Sequence, residues 1–298
     1  MSSKLYIIGN GFDLFHNMQT SFADFRVFAE TNARDSFNAI ESYLSVADDW
    51  ADLESALADL DVDFVVEDLG HFMPPYSADY WSESGHHDFQ YEVGRVVDYL
   101  SSDLLSCLKK WVSQVKIPDK DSVARLKTIN QEAFFLTINY TSTLAYLYDI
   151  AANRTLHIHG SIADPEQKII LGHAWNPVNR KSLNDRQDIE DVDIRLLEAN
   201  SIIDQYFSST FKPSIQLIAK NRSFFDSLYC VSEVVVLGHS LSVIDAEYFH
   251  ELLSVPSITL ATWTIACRPA DNRGEILRKL DGLGVPLSKV MIKDWGVI

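Results

Sequence analysis

Cysteine is scarce in this sequence of 298 residues, and its three copies stand far apart. Cys107, Cys230 and Cys267 form no C-x-x-C pair and no set of four. Neither a disulfide framework nor a zinc ribbon is therefore predicted, and we expect no bound metal of the structural kind.

Basic residues are also few, because 25 Lys and Arg stand against 42 Asp and Glu, which gives a formal net charge of −17. A protein that binds nucleic acid through its phosphates usually presents a basic face. No run of more than two Lys or Arg occurs in this chain. We therefore expect no extended DNA or RNA binding by the chain alone. A small nucleotide remains compatible with this charge, because backbone N–H groups at a helix start can hold phosphates.

Long apolar runs are absent as well, and no segment approaches the length of a membrane span. The first residues carry one Lys and then a short apolar run that ends at Gly9, which is too short and too lightly charged for a secretory signal. These features predict a cytoplasmic protein that does not contact a membrane.

Short apolar runs that end in turn residues recur along the chain, and each has the length of a buried strand. They predict strands over residues 5–8, 134–138, 156–159, 168–173, 234–237, 258–266 and 289–292. Helical patterns separate most of these runs, and apolar strands that alternate with helices are typical of a parallel sheet covered on both faces. The predicted fold class is α/β, with a Rossmann-like, mostly parallel sheet and helices on both faces.

One long stretch interrupts this alternation. Residues 32–130 have helical patterns and no strand pattern, so we predict a helical insertion there. Residues 1–31 and 131–298 would then form the Rossmann-like, nucleotide-binding domain. The predicted parts of the insertion are a helix over residues 36–46, another from residue 50, a loop over 70–88 and one long amphipathic helix over 93–115.

Polar motifs follow several of the predicted strands. The first strand runs into Gly9-Asn10-Gly11, which supplies two glycines of the dinucleotide fingerprint G-x-G-x-x-G, with Leu14 in place of the third. Because ligands of parallel sheets bind beyond the carboxyl ends of the strands, we expect these motifs to share one site. They are Gly9-Asn10-Gly11, Asn139, His159-Gly160, His173 and Gly238-His239-Ser240.

A set of motifs in this order resembles the AbiH family of bacterial abortive-infection proteins. The motifs are Ile8-Gly9-Asn10-Gly11-Phe12-Asp13, Ser21-Phe22-Ala23-Asp24-Phe25, Trp50-Ala51-Asp52-Leu53-Glu54, Thr137-Ile138-Asn139-Tyr140-Thr141, His157-Ile158-His159-Gly160 and Gly238-His239-Ser240-Leu241. The resemblance covers nearly the whole chain. It implies a part in bacterial defence against phage, and it names a phenotype rather than a reaction.

A more distant resemblance, to sirtuins and sirtuin-like NAD hydrolases, speaks to the reaction. The residues that carry it are Gly9-Asn10-Gly11, Asp24-Phe25-Arg26, Asn139, His159-Gly160 and Gly238-His239-Ser240-Leu241. It implies that NAD, or a related nucleotide, is a substrate and that no separate cofactor is needed. The chain lacks the four cysteines of the sirtuin zinc module, so peptide deacetylation is not expected. Thr141 stands where sirtuins have an Asp, so that residue's ribose contact is not carried over.

The reaction that this resemblance implies is hydrolysis of the nicotinamide glycosidic bond, which makes the protein an NAD glycohydrolase. Such a cleavage passes through a cation-like sugar and needs a held diphosphate, a fixed ribose and a directed water. We assign catalysis to Asn139, which would orient a water or a ribose hydroxyl, and to His159 as general base. Asp13 would bind ribose hydroxyls or stabilise the sugar cation. The nucleotide-binding candidates are Gly9, Asn10, Gly11, Phe12, Asp13, Gly238, His239 and Ser240, with the backbone N–H groups of residues 9–12 on the diphosphate.

Several candidates also have structural interpretations. His157 and His159 alternate along one predicted strand and would point to the same face; we interpret His157 as a hydrogen-bonded structural residue. Glu54 follows Trp50 and lies either in solvent or inward, as a buried carboxylate. His173 and Asp245 complete the set of candidates.

Two other functions stay open from the sequence. A metal-dependent nuclease or phosphoesterase would use histidines and a carboxylate as ligands, from the set His157, His159, His173, His239 and Asp13. A non-catalytic sensor would bind NAD or ADP-ribose and signal to a partner. A homo-oligomer or another defence protein as partner is likewise left open.

Overall fold

The computed structural model describes residues 3–79, 81–83 and 85–298. The chain divides into two compact units. The first consists of Met1–Ser21, Val112–Ile170 and Pro213–Ile298, and the second of Phe22–Trp111 and Leu171–Lys212.

The first unit is built on a six-stranded sheet in which every pair of neighbouring strands is parallel. The strands are β1 (Lys4–Ile8), β2 (Phe134–Thr137), β3 (Thr155–His157), β4 (Glu233–Leu237), β5 (Thr262–Cys267) and β6 (Val290–Asp294). Their order across the sheet is β3-β2-β1-β4-β5-β6. This arrangement confirms the predicted α/β class and places β1 at the centre, between β2 and β4.

Fourteen α-helices occur in the described residues. In chain order they are α1 (Gly11–Phe15), α2 (Phe22–Asn32), α3 (Arg34–Tyr43), α4 (Leu53–Ala56), α5 (Val62–Leu69), α6 (Asp88–Leu100), α7 (Ser102–Gln114), α8 (Thr143–Tyr148), α9 (Ile194–Ser209), α10 (Ser214–Lys220), α11 (Arg222–Asp226), α12 (Ala246–Ser254), α13 (Pro256–Leu260) and α14 (Arg273–Gly282). None of them is long and apolar enough to cross a membrane, within the part of the chain that the structure describes.

Both faces of the sheet are covered, which explains why its strands read as unbroken apolar runs. Side chains alternate along each strand, so β1 sends Leu5 and Ile7 to one face and Tyr6 and Ile8 to the other. Helix α12 packs on the Leu5 face through Tyr248, Phe249 and Leu252, and α8 packs on the Tyr6 face through Leu144, Leu147 and Tyr148.

The second unit is helical and has an aromatic core of its own. The rings of Phe25 and Phe37 lie 5.8 and 5.7 Å from that of Trp50, and the ring of Trp111 lies 5.1 Å from Phe25. The indole N–H of Trp50 donates to the Glu41 carboxylate at 2.9 Å, so its polar atom is satisfied.

Two predicted elements have different bounds in the structure, and a third, treated below, is missing from the described residues. The helix expected over residues 93–115 is two helices, α6 and α7, because Ser101 leaves the helical region with φ −126° and ψ −88°. The strand expected over 258–266 begins only at Thr262, since Pro256 starts the short helix α13 instead.

The strand expected over residues 168–173 is absent from the described chain. Ile170 N–H donates to the His159 carbonyl at 3.0 Å, and His173 forms an isolated bridge with Phe211. The apolar run that suggested a strand is explained by burial of Ile169 without strand pairing, a case that periodicity does not separate from a strand.

The other predicted parts of the helical region lie near their expected places. The helices expected over 36–46 and from residue 50 are α3 and α4. Residues 70–88 contain a single turn of 3-10 helix, Gly70–Phe72, before α6 begins; Tyr80 and Ser84 of this predicted loop lie outside the described residues.

The turns after β1 and β4 touch through their backbones. A Cβ placed on Gly9 would lie 2.5 Å from the Cα of His239, and one on Gly11 would lie 2.7 Å from the Cα of Gly238. Gly238 itself has φ +68°, and a Cβ there would overlap the backbone of Gly11 and Phe12. Only glycine meets both demands at position 238, since it tolerates positive φ and has no side chain.

We predict that Gly238→Ala lowers the free energy of unfolding by more than about 2 kcal/mol, because positive φ and overlap with the next turn act together. Gly282→Ala is the matched control, since a Cβ there has no neighbour within 4 Å and φ is ordinary. Chemical denaturation of both variants measures the difference. Equal stabilities would contradict the close packing of the two turns.

Candidate functional site

The polar motifs of the first unit gather where four strands end. Strands β3, β2, β1 and β4 lie side by side and run in the same direction, so their carboxyl ends share one edge of the sheet. The strand order reverses between β1 and β4. Open α/β sheets bind ligands at such a reversal, beyond the carboxyl ends of the strands.

The glycine turn after β1 uses its backbone donors internally. Gly9 N–H donates to the Leu237 carbonyl at 3.0 Å, Gly11 N–H to Gly238 at 2.8 Å, and Phe12 N–H to Gly9 at 2.9 Å. The Asn10 side chain donates to the Thr20 carbonyl at 2.7 Å, and the Phe12 ring is buried in the core. These three N–H groups, which we expected to hold a diphosphate, therefore donate to carbonyls within the protein instead.

Asp13 is a buried carboxylate on α1. Its Oδ2 accepts a hydrogen bond of 2.6 Å from the hydroxyl of Thr141, which lies 3.0 Å from the hydroxyl of Thr143. Burial raises the pKa of Asp13 from 3.8 to about 6, while hydrogen bonds from Thr141, Thr143 and Asn139 act in the opposite direction. The carboxylate therefore ionises close to neutral pH.

Asn139 lies immediately beside this carboxylate, just beyond the end of β2. Its side-chain amide donates to the Gly9 carbonyl at 3.1 Å, and its backbone carbonyl oxygen lies 3.0 Å from Nδ1 of His157. Because a carbonyl only accepts, His157 carries its proton on Nδ1. Burial lowers the pKa of His157, so this ring is a neutral donor that holds the Asn139 backbone.

Two side-chain oxygens of this group have no hydrogen-bond partner in the described structure. They are Oδ1 of Asp13 and Oδ1 of Asn139, and both are buried. Buried polar atoms nearly always have a partner, so an unsatisfied pair calls for an explanation. We refer to Asp13 and Asn139 together as the acceptor pair.

The two histidines expected on one strand face lie on opposite sides of the sheet instead. Strand β3 ends at His157, and a turn follows in which Gly160 has φ +86°. Leu156 packs on the Leu5 face, so alternation sends His157 to the other face. His159, beyond the strand, contacts Tyr248 of the Leu5 face at 3.1 Å. The expectation of a shared face was wrong because the strand stops two residues early.

A second group surrounds Asp245, at the start of α12. Nε2 of His239 lies 3.5 Å from Oδ2 of Asp245, and Nε2 of His159 lies 3.8 Å from Oδ1. Nε2 of His159 is also 3.1 Å from the Tyr248 hydroxyl. The side chains of Asp245 and both histidines are at most 2% exposed. We call His239, Asp245, His159 and Tyr248 the histidine–carboxylate chain.

Ser240, by contrast, is exposed in the turn after β4. The Lys279 ammonium donates to its carbonyl at 3.2 Å, and the following residue, Leu241, is buried with φ +55°. Side chains of Lys279 and His239 thus bond the backbone of this turn, while Ser240 itself is exposed.

Glu54 and His173 belong to the second unit and have partners there. The Glu54 carboxylate pairs with the ammonium of Lys212, a fully buried lysine, at 2.8 Å. His173 is buried, its Nε2 lies 3.0 Å from the Phe207 carbonyl, and its ring stacks on Trp175 at 4.6 Å. Burial lowers the pKa of His173, in keeping with a neutral ring packed in a core.

No three His, Cys, Asp or Glu side chains are arranged to hold a metal ion in the described part of the chain. In the histidine–carboxylate chain, each oxygen of Asp245 faces a different imidazole.

Two residues of the site escaped the sequence analysis. The first is Thr143, whose hydroxyl contacts that of Thr141. Its position two residues after Thr141 could have suggested that the two hydroxyls act together. Tyr248 follows Asp245 by three positions, a spacing that brings side chains to one side of a helical turn.

The fold and these two groups define a Rossmann-like α/β protein whose polar residues meet at the carboxyl edge of a parallel sheet. A comparison with protein families places it more closely. The chain belongs to the family described as bacteriophage abortive infection AbiH, whose model matches residues 5–267. Neither a curated protein nor a solved structure was found to match.

The buried Asp13 predicts a pH dependence of stability. Its pKa is raised in the folded state, so between 3.8 and about 6 the folded protein binds more protons than the unfolded chain, and stability falls as the pH rises through that range. Asp13→Asn removes the titrating group and keeps a side-chain oxygen that can accept from Thr141. We expect the variant to be more stable than the wild type near neutral pH, by up to about 3 kcal/mol.

Denaturation curves at several pH values measure this difference, which should vanish below the lower of the two pKa values. Asp281→Asn, an exposed position after the middle of α14, is the control and should leave the pH dependence unchanged. An Asp13→Asn variant with the pH slope of the wild type would contradict the raised pKa.

Proposed function

We propose that this abortive-infection protein binds NAD or a related nucleotide and hydrolyses its nicotinamide glycosidic bond. The observation that carries the proposal is the acceptor pair: two buried oxygens, Oδ1 of Asp13 and Oδ1 of Asn139, without a donor in the described structure. They follow β1 and β2 at the carboxyl edge of the sheet, next to the strand-order reversal between β1 and β4, and ligands of this fold class bind at that edge. A ribose offers hydroxyl donors of the kind that such oxygens need.

The chemistry is a displacement at the anomeric carbon. The bond from that carbon to the nicotinamide nitrogen breaks, and its electron pair stays on the nitrogen, which becomes neutral. A water oxygen forms the new bond, and the proton that it loses passes to a base. The transition state is a cation-like sugar, as in glycoside hydrolysis.

The acceptor pair suits that transition state. Near neutral pH Asp13 is largely ionised, since its pKa is about 6, and a buried negative charge stabilises a nearby sugar cation. Asn139 is fixed by two hydrogen bonds. Its side-chain amide donates to the Gly9 carbonyl, and its backbone carbonyl accepts from the His157 ring. A group held in this way can orient a hydroxyl or a water without reorganising.

His159 is the residue that we assign as the base. It follows β3, the neighbour of β2, so it belongs to the same edge of the sheet as Asn139. An imidazole accepts protons near neutral pH and is a common general base in enzymes. In this proposal NAD is the substrate and no cofactor is required.

The direct test is to incubate the purified protein with NAD and to follow free nicotinamide by chromatography. Asn139→Ala should abolish measurable release, because the oriented oxygen is lost, and His159→Ala should lower the rate by about 10²–10⁴. His157→Ala should mainly lower the free energy of unfolding, by about 1–3 kcal/mol, because it leaves the Asn139 carbonyl without its donor.

Asn130→Ala is a matched control, since this exposed asparagine precedes β2 and so lies at the opposite end of the strand. It should keep full activity. In cells, expression of the wild type should deplete NAD and slow growth, at least after phage infection, and either catalytic variant should relieve this. Binding of NAD without nicotinamide release would favour a sensor, and cleavage of RNA or DNA with NAD left intact would contradict the proposal.

A further inference from the structure

Asp13 is held by one of its two oxygens. The hydroxyl of Thr141, just beyond β2, donates to Oδ2 at 2.6 Å, whereas Oδ1 is buried and has no partner in the described structure. A hydroxyl has a single proton to donate, and Thr141 directs it to the carboxylate. The carboxylate therefore keeps one oxygen fixed and the other available.

A second hydroxyl, that of Thr143 at the start of α8, has two acceptors within reach. The Thr141 oxygen lies 3.0 Å away and Sδ of Met18 lies 3.4 Å away. Because the Thr141 proton is already on Asp13, the contact between the two threonines needs the proton of Thr143. A thioether sulfur is a weak acceptor, whereas a hydroxyl that donates to a carboxylate is polarised into a stronger one. Both hydroxyl protons are therefore directed toward Asp13.

Hydrogen bonds are what oppose the burial of this carboxylate. Burial raises the pKa of Asp13 to about 6, and hydrogen bonds from nearby side chains act against that rise. Within the described residues, no charged side chain adds to these influences. Two titratable rings on adjoining elements are directed to other partners. His16, after α1, lies 2.6 Å from the Phe12 carbonyl and 2.7 Å from the Tyr148 hydroxyl, and His157 faces a backbone carbonyl.

We propose that Thr141 and Thr143 are positioning residues, whose hydroxyl protons both point toward Asp13 and hold it through Oδ2 as a carboxylate, with Oδ1 left for a donor of the ligand. The direction of these protons does not depend on the proposed function. The use of Oδ1 does rest on it, since there the ionised Asp13 stabilises the sugar cation. Both threonines would act on the reaction only through Asp13.

The test is a carbon NMR titration of protein labelled at the side-chain carboxyl carbon of aspartate, in which the signal lost in Asp13→Asn identifies Asp13. Thr141→Val keeps the size of the side chain and removes the hydroxyl, so it should raise the pKa of Asp13 by about 1–2. Thr141→Ser keeps a hydroxyl and should restore a pKa close to that of the wild type. Thr128→Val, at an exposed position before β2, is the control and should change nothing. An unchanged pKa in Thr141→Val, or one equally raised in Thr141→Ser, would overturn the proposal.

Two milder variants test the second hydroxyl, and they decide the matter if Thr141→Val does not fold. Thr143→Val should raise the pKa of Asp13 by less than Thr141→Val does, because its effect on the carboxylate is the smaller of the two. Met18→Leu removes the sulfur and should leave the pKa unchanged, since the Thr143 proton is already directed to Thr141. A fall in Met18→Leu would place that proton on the sulfur, and an unchanged pKa in Thr143→Val would remove Thr143 from the chain of hydroxyls. Either result would overturn the assignment.

Activity at different pH values gives the second readout. In the wild type, kcat/KM for nicotinamide release should fall as the pH drops through about 6, where Asp13 takes up a proton. In Thr141→Val this fall should begin at a higher pH, whereas a purely structural defect would lower kcat/KM equally at all pH values. A profile that stays in place while the pKa measured by NMR moves would overturn the positioning role. If the wild type releases no nicotinamide but the pKa follows Thr141, then the proposed reaction fails while the assignment of the hydroxyls stands.

Discussion

The turns after β1 and β4 pack backbone against backbone, because glycine at positions 9, 11 and 238 leaves no Cβ between them. Two hydrogen bonds join them, from Gly9 to Leu237 and from Gly11 to Gly238. In a Rossmann-like sheet these are the strands where the order reverses, and a fingerprint glycine there commonly admits a ligand's phosphates. Here the same space is taken by the neighbouring turn. The N–H groups of Gly9, Gly11 and Phe12 donate within the fold, so these three are not available to a phosphate.

The two buried carboxylates of the site have different surroundings. Asp245 has an imidazole facing each of its oxygens. Oδ2 of Asp13 accepts a hydrogen bond from Thr141, whereas Oδ1 has no partner within the described structure. Leaving a buried carboxylate oxygen unsatisfied lowers stability, and folds generally avoid it unless function requires it. That difference is what makes Asp13 the candidate for a ligand contact in the proposed function.

Much of this arrangement follows from the sequence, because apolar strands with polar residues behind them bring those residues to one edge of a parallel sheet. Asp13 and Asn139 meet for that reason. The face that His159 takes could not be predicted, since it depends on β3 ending at His157 and on a turn with positive φ at Gly160. The split of the long helix at Ser101 was equally hidden, because the apolar spacing continues across the break. In both cases a local change of backbone direction overrides the periodic pattern.

Gly9 connects the two polar groups of the site. Its carbonyl accepts from the Asn139 amide at 3.1 Å, and its Cα faces the backbone of His239 with no room for a side chain. The acceptor pair and the histidine–carboxylate chain are thus held against the same residue of the central strand. Movement of β1 relative to β4 would disturb both groups together, whereas a change in the exposed Ser240 side chain would disturb neither. The orientation of both groups is therefore supplied by the sheet and by the packed turns after β1 and β4, an arrangement that holds polar groups in place without reorganisation.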